Sequence, residues 1–133
     1  MKNTKELKTI VQKYAVETKK MREYFHAHPE LSFKEVNTAK YVCDVLKKHQ
    51  IDFHAGIGGH GILAIIKGKK KGPVVAFRAD MDALPIEELN KVPYKSTQKG
   101  VMHACGHDFH TASLLAFLLM MKEAGLDFNG TIL

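Results

Sequence analysis

Apolar residues at Leu7, Ile10, Val11, Tyr14, Met21 and Phe25 recur at steps near three and four, with lysines between them. That spacing predicts an amphipathic helix reaching about Tyr24. His28-Pro29 ends it, because the residue before a proline is pushed out of the helical region. Ser32-Phe-Lys-Glu35 has the spacing of a capping box, and a second helix is expected behind it with Val36, Ala39, Val42, Val45 and Leu46 on its inner face. The period then changes. Ile51–Ile57 and Ile62–Ile66 read as strands around the Gly58-Gly59-His60-Gly61 turn. After Gly68–Gly72, the nearly continuous apolar run Pro73–Ala79 reads as a strand buried on both faces. An irregular polar loop is expected from Ile86 to Val101. A third helix follows from about Asp108, a good N-cap residue, to Glu123, with Gly125 as its stop. Gly130-Thr-Ile-Leu133 begins another strand, and the chain stops within it. The order predicts an α/β fold, a mixed sheet flanked by helices.

Composition adds limits. The 133 residues suit one domain, and 45% hydrophobic with 26% charged residues is ordinary for a globular protein. The formal charge of +6 comes from lysines spread along the first helix and from Lys67, Lys69, Lys70 and Lys71, which read as a solvated hairpin tip. Aromatic residues do not interleave with these cations as a stacking platform requires, so nucleic acid is not expected as a partner. The longest apolar run, Leu114–Met121, is too short to span a bilayer, and the N-terminus has no signal-type apolar region. No membrane partner is expected. Two cysteines, Cys43 and Cys105, make no disulfide framework, and the protein reads as cytoplasmic with reduced thiols.

The chemistry concentrates in His103-Ala-Cys-Gly-His-Asp-Phe-His110: three imidazoles, a thiol and a carboxylate within eight residues. Taken singly, Cys105 reads as a small buried hydrophobe. His107 alone reads as a hydrogen-bonded structural residue. Together, with Asp108 and His110 adjacent, they read as a metal site. Cys105 and His107 are two apart, and Gly106 between them favours a non-helical segment on which both can face one ion. Thiolate and imidazole suit zinc, and manganese or nickel when carboxylates join. Asp80 and Asp82 form a second constellation at a strand end. They can serve a turn ahead of Pro85, or orient a metal-bound imidazole from outside the ligand set. Arg78 beside them can pair with a carboxylate. The remaining histidines, His26 and His28 among them, read as surface residues, with His28 within reach of Glu30.

Four ordered stretches carry a family resemblance: His26-Ala-His-Pro-Glu-Leu-Ser32, Arg78-Ala-Asp-Met-Asp-Ala-Leu-Pro85, Pro93-Tyr-Lys-Ser96 and Gly100-Val-Met-His-Ala-Cys-Gly-His-Asp-Phe-His-Thr111. This pattern resembles the dinuclear metallo-amidohydrolases that include hippurate hydrolase, N-acyl-amino acid deacylases and hydrolases of auxin–amino acid conjugates. The resemblance implies an aminopeptidase-like catalytic domain of which residues 1–133 form an N-terminal portion, without the family's lid or dimerisation domain. It implies Cys105 and His107 as metal ligands and Asp82 as a supporting aspartate, leaving Asp80, His103, Asp108 and His110 around them. It implies two divalent ions (zinc, manganese, nickel or cobalt) in the full-length site, and small N-acyl amino acids as substrates. A homodimer is implied only for the full-length family.

In that family the strand at Gly130 leads into Phe-Gln-Pro-Ala-Glu-Glu, which carries the general base and a ligand, and two histidine ligands come later. The general base is therefore absent from these residues. Glu87, Glu88 and Glu123 read as solvated charges and do not replace it. The expectation is a truncated amidohydrolase that is inactive alone. The alternative is a non-catalytic metal-binding module that needs a complementing C-terminal half.

Overall fold

A computed structural model describes residues 3–125 and 128–133. Helix α1 spans Thr4–Ala27, α2 Val36–Lys48 and α3 His107–Ala124, with strands β1 Asp52–Ile57, β2 Gly61–Lys67, β3 Lys70–Val75 and β4 Asn129–Ile132. The α/β mixed sheet expected from the sequence is present, in the order β1-β2-β4-β3. Strand β4 lies antiparallel to β2 and parallel to β3. Because β4 enters between β2 and β3, the lysines at 67–71 do not cap a hairpin. The short connection crosses over an inserted strand, which local sequence cannot reveal.

The helices share one core. Ile10, Tyr14, Met21 and Phe25 of α1 meet Leu115, Leu118 and Leu119 of α3, joined by Val42 and Leu46 of α2 and Ala64 of β2. Val11 and Val36, both expected inside, are exposed. The inward stripe of α2 is instead Thr38, Val42 and Leu46, at steps of four. At the far end of the α1–α3 pair, Glu123 accepts from Tyr14 Oη at 2.6 Å and lies 2.8 Å from Lys13 Nζ.

Two local expectations are corrected. Within residues 1–133 the run Pro73–Ala79 is not covered on both faces. Val74 and Val75 belong to edge strand β3, every residue of which is exposed, and Phe77 is exposed beyond it. An apolar run reports that a strand suits burial, but its position in the sheet order decides whether it is covered. The Ser32/Glu35 capping box also does not form. Phe33 turns left-handed at φ +63, and α2 starts at Val36, too far along for Ser32 to reach its amides. Glu30 takes that role. Its carboxylate accepts from the Thr38 amide (2.8 Å), the Asn37 amide (3.1 Å), the Thr38 hydroxyl and the Asn37 side chain. His28 stacks on Tyr24 and bonds its carbonyl oxygen instead of meeting Glu30. The capping box that does form joins Asn3 and Glu6 at the start of α1.

Burial pushes the Glu30 carboxyl up, but the donated hydrogen bonds outweigh it and hold it below the ordinary glutamate range. A depressed carboxylate stabilises the fold fully above its unfolded pKa, about 4.3, and the contribution fades as pH falls through the lower folded value. Glu30→Gln is therefore expected to lower stability at neutral pH by about 1 kcal/mol, the size of an N-cap loss. The difference from wild type should shrink below about pH 4. Urea melts at both pH values check this, and a pH-independent difference would contradict it.

Candidate metal centre

Gly106 precedes α3 at φ +95, a left-handed conformation that turns the chain abruptly from an irregular segment into the helix. The helix thus begins at His107, and Asp108 is its second residue, buried, rather than its cap. His107 and His110 lie three apart on the first turn, with ring centroids 5.5 Å apart. Facing them is the segment after β3. It is fixed from two sides: Ala83 donates to the Glu30 carbonyl at 2.8 Å, and Leu84 exchanges backbone hydrogen bonds with Met102 at 3.0 Å. Thr111 Oγ1 adds a bond to the Asp80 carbonyl at 2.8 Å.

This arrangement sets the chemistry of His107. Its Nδ1 lies 2.8 Å from the Asp82 carbonyl oxygen and 3.0 Å from Asp82 Oδ1. Both are acceptors, so Nδ1 donates and, in the neutral ring, Nε2 keeps its lone pair. That lone pair faces Asp80 Oδ2 at 3.8 Å. A cation between them, or a proton on Nε2, satisfies both groups. Donor atoms bound to one ion at about 2.0–2.2 Å are separated by up to about 4 Å, so the spacing fits. Donor atoms of Asp80, His107 and His110 all lie within 4.8 Å of one another. This nitrogen and oxygen set accepts zinc, manganese, nickel or cobalt.

The expected residues are distributed around this point. Asp80 and Asp82 both face His107. Arg78 Nη2 sits 2.7 Å from Asp80 Oδ1, off the hydrogen-bond direction, with its side chain largely in solvent. Cys105 is exposed on the segment leading to Gly106, outside the Asp80–His107–His110 group. His103 is buried, and its Nε2 has no hydrogen-bond partner. Burial first, then the neighbouring His26 and His107, pushes its pKa down to about 4 against the opposing pull of Asp108 and Asp82, so the ring is neutral near pH 7. A cavity of about 480 Å³ opens beside Asp80, bounded by Arg78 and Asp82 and by apolar Val42, Leu115 and Leu118.

Sequence reasoning missed three residues behind the site. His26 and Glu88, expected at the surface, are buried, and they join Arg22 in an ion cluster on Asp108. Glu88 lies in a polar loop whose composition gives no sign of burial. Only the placement of His26 and Tyr94 within the four ordered stretches hints at a shared site. Glu123 is not simply solvated either, given its Tyr14 bond. No helix among the described residues is long and apolar enough to cross a membrane.

Residues 76–133 match the family model described as Peptidase family M20/M25/M40. The chain is 45% identical over 113 residues to N-acetylcysteine deacetylase of Bacillus subtilis, covering 84% of this chain and 30% of that protein. It is 43% identical over 116 residues to hippurate hydrolase of Campylobacter jejuni, covering 87% and 30%. The crystal structure of Bacillus subtilis YXEP, described as a dinuclear metal-binding peptidase of the M20 family, superposes with a TM-score of 0.86 at 42% identity, covering 91% of this chain and 34% of that one. The chain thus spans about a third of the length of these relatives. The resemblance read from the four stretches holds in both sequence and fold.

With Nδ1 held by Asp82, the ring orientation of His107 is fixed by the protein itself. Asp82→Ala is expected to weaken zinc binding about 10–100-fold, the usual effect of removing a partner that orients a ligating histidine. Calorimetric titration of the two proteins measures it, and equal affinities would refute the orienting role.

Proposed function

We propose, on the premise of this kinship with the M20 metallopeptidases, that the chain contributes one side of a divalent-metal centre that hydrolyses the amide bond of small N-acyl amino acids. The observation that carries the reading is the opposed pair His107 Nε2 and Asp80 Oδ2, 3.8 Å apart, with Nδ1 tied to Asp82. The names of the relatives, a deacetylase and a hippurate hydrolase, favour an acylated amino acid as substrate.

In this reading Cys105 and His107 are the ligands this chain supplies. Asp82 orients the imidazole, and Asp80 and His110 stand within reach of the same ion. The exposed Cys105 is two residues from His107, with only Gly106 between them. When bound, the divalent ions supply Lewis-acid polarisation of the carbonyl and acidification of water. The chain's own groups do the rest of what can be assigned to it. The cavity beside Asp80 holds an apolar acyl or side-chain group, and Arg78 at its mouth attracts the substrate carboxylate. Residues 1–133 form part of a single catalytic domain, and the general base comes from polypeptide outside them.

The zinc- or manganese-loaded 133-residue chain is accordingly expected to bind metal through Cys105 and His107 and to show no turnover of N-acetyl or N-benzoyl amino acids. Cys105→Ala and His107→Ala should each lower zinc affinity at least tenfold. Amino acid release by the purified chain would contradict the assignment of the general base. Unchanged zinc affinity in both variants would contradict the ligand assignment.

A further inference from the structure

The charged cluster between α1 and α3 lies outside the ligand set, yet its carboxylates, Glu88 and Asp108, are the most buried polar side chains among the described residues. His26 Nδ1 is 2.8 Å from Asp108 Oδ2, and His26 Nε2 is 3.0 Å from Glu88 Oε1. His26 thus bridges the two acids, with one ring nitrogen on each. Arg22 Nε lies 2.8 Å from the same Asp108 oxygen, with its guanidinium over the Tyr94 ring at 4.9 Å. The edge of His26 meets Tyr94 at 5.5 Å. Glu88 is completed by the Ser96 amide at 2.6 Å and by Asn90. Burial pushes the Glu88 carboxyl up, and His26, Ser96 and Asn90 together bring it below its ordinary range. Each carboxylate in the cluster is paired with a basic side chain.

The position of Asp108 gives this cluster a use. It follows His107 directly, on a helix whose N-cap, Gly106, has no side chain to offer its first amides. Asp108 Oδ1 accepts from the Phe109 amide at 2.8 Å, and its other oxygen is held by His26 and Arg22. Successive helical side chains are about 100° apart, so fixing Asp108 against α1 fixes where His107 points. From the opposite side, His107 and Thr111 are tied to Asp82 and Asp80. The first turn of α3 is held between the two attachments.

We propose that Arg22, His26 and Glu88 are positioning residues: through Asp108 they set the rotation of the first turn of α3 and so hold His107 and His110 in metal-binding geometry. The consequence for the metal rests on the centre proposed above, whereas the ordering of the turn does not.

The test joins amide hydrogen exchange with zinc titration on the full chain, using His26→Gln, Glu88→Gln and Arg22→Gln. Leu119→Ala serves as comparator, since it opens a cavity in the middle of α3 away from the cluster. The cluster variants are expected to speed exchange of the 109–111 amides at least tenfold relative to the rest of α3, and to weaken zinc binding about tenfold. Leu119→Ala should speed exchange along the helix and leave zinc affinity within about twofold. If His26→Gln does not fold, Glu88→Gln, of equal size, and the half-exposed Arg22→Gln decide. Exchange at 109–111 that stays within twofold of wild type, or that accelerates evenly along α3, overturns the proposal. Wild-type protein that takes up no zinc would sink the metal centre instead, while the exchange pattern still decides the positioning role.

Discussion

Two carboxylates, Glu88 and Asp108, are each only 1% exposed, and the architecture around the site follows from that constraint. An ionised carboxylate taken out of water without a partner is costly enough that it either pairs or neutralises. Here the partner is a single histidine on α1, reinforced by Arg22. Satisfying both acids at once forces α1, the 86–101 loop and the first turn of α3 into one place. A buried ion cluster of this kind contributes little net stability over an apolar packing, but removing one member costs about 3–5 kcal/mol. Its value lies in specifying one arrangement.

That arrangement makes the separate stretches of sequence into one site. The 29–31 segment bonds the 82–84 segment, which bonds 102, which leads through Gly106 into His107. Thr97 ties the loop back to the Ala27 carbonyl through both its amide and its hydroxyl, at 2.9 and 2.7 Å. Each of the four stretches that carry the family resemblance supplies a residue to the centre or to its support. The glycine at 106 does what another residue there would do only under strain, allowing a sharp entry into the helix directly before His107.

Much of this was legible in the sequence. Helices α1 and α3 and strands β1, β2 and β4 appeared close to their observed bounds, because their apolar periods are regular and their stops, Pro29 and Gly125, act locally. The sequence also drew attention to segment 103–110, and the fold sets His107 and His110 of that segment beside Asp80. What escaped depended on distant neighbours. Strand β3 reads as buried because Val74, Val75 and Phe77 suit burial, but sheet order leaves it at an edge. Ser32 and Glu35 have the right spacing for a cap, yet the left-handed turn at Phe33 puts Glu30 there instead. His26 and Glu88 look like solvent-facing polar residues singly, and only their pairing across 62 positions of sequence explains their burial. An imidazole-orienting role for Asp80 or Asp82 was one of the two sequence readings, and the fold shows His107 against Asp82.

The central claim is that His107, oriented by Asp82 and accompanied by Cys105, binds a divalent ion. X-ray absorption at the zinc edge, on the chain loaded with one equivalent of zinc, tests it most directly. The account predicts imidazole nitrogen and carboxylate oxygen at about 2.0–2.2 Å together with one sulfur at about 2.3 Å. A spectrum of oxygen neighbours alone, without imidazole or sulfur scattering, would contradict it.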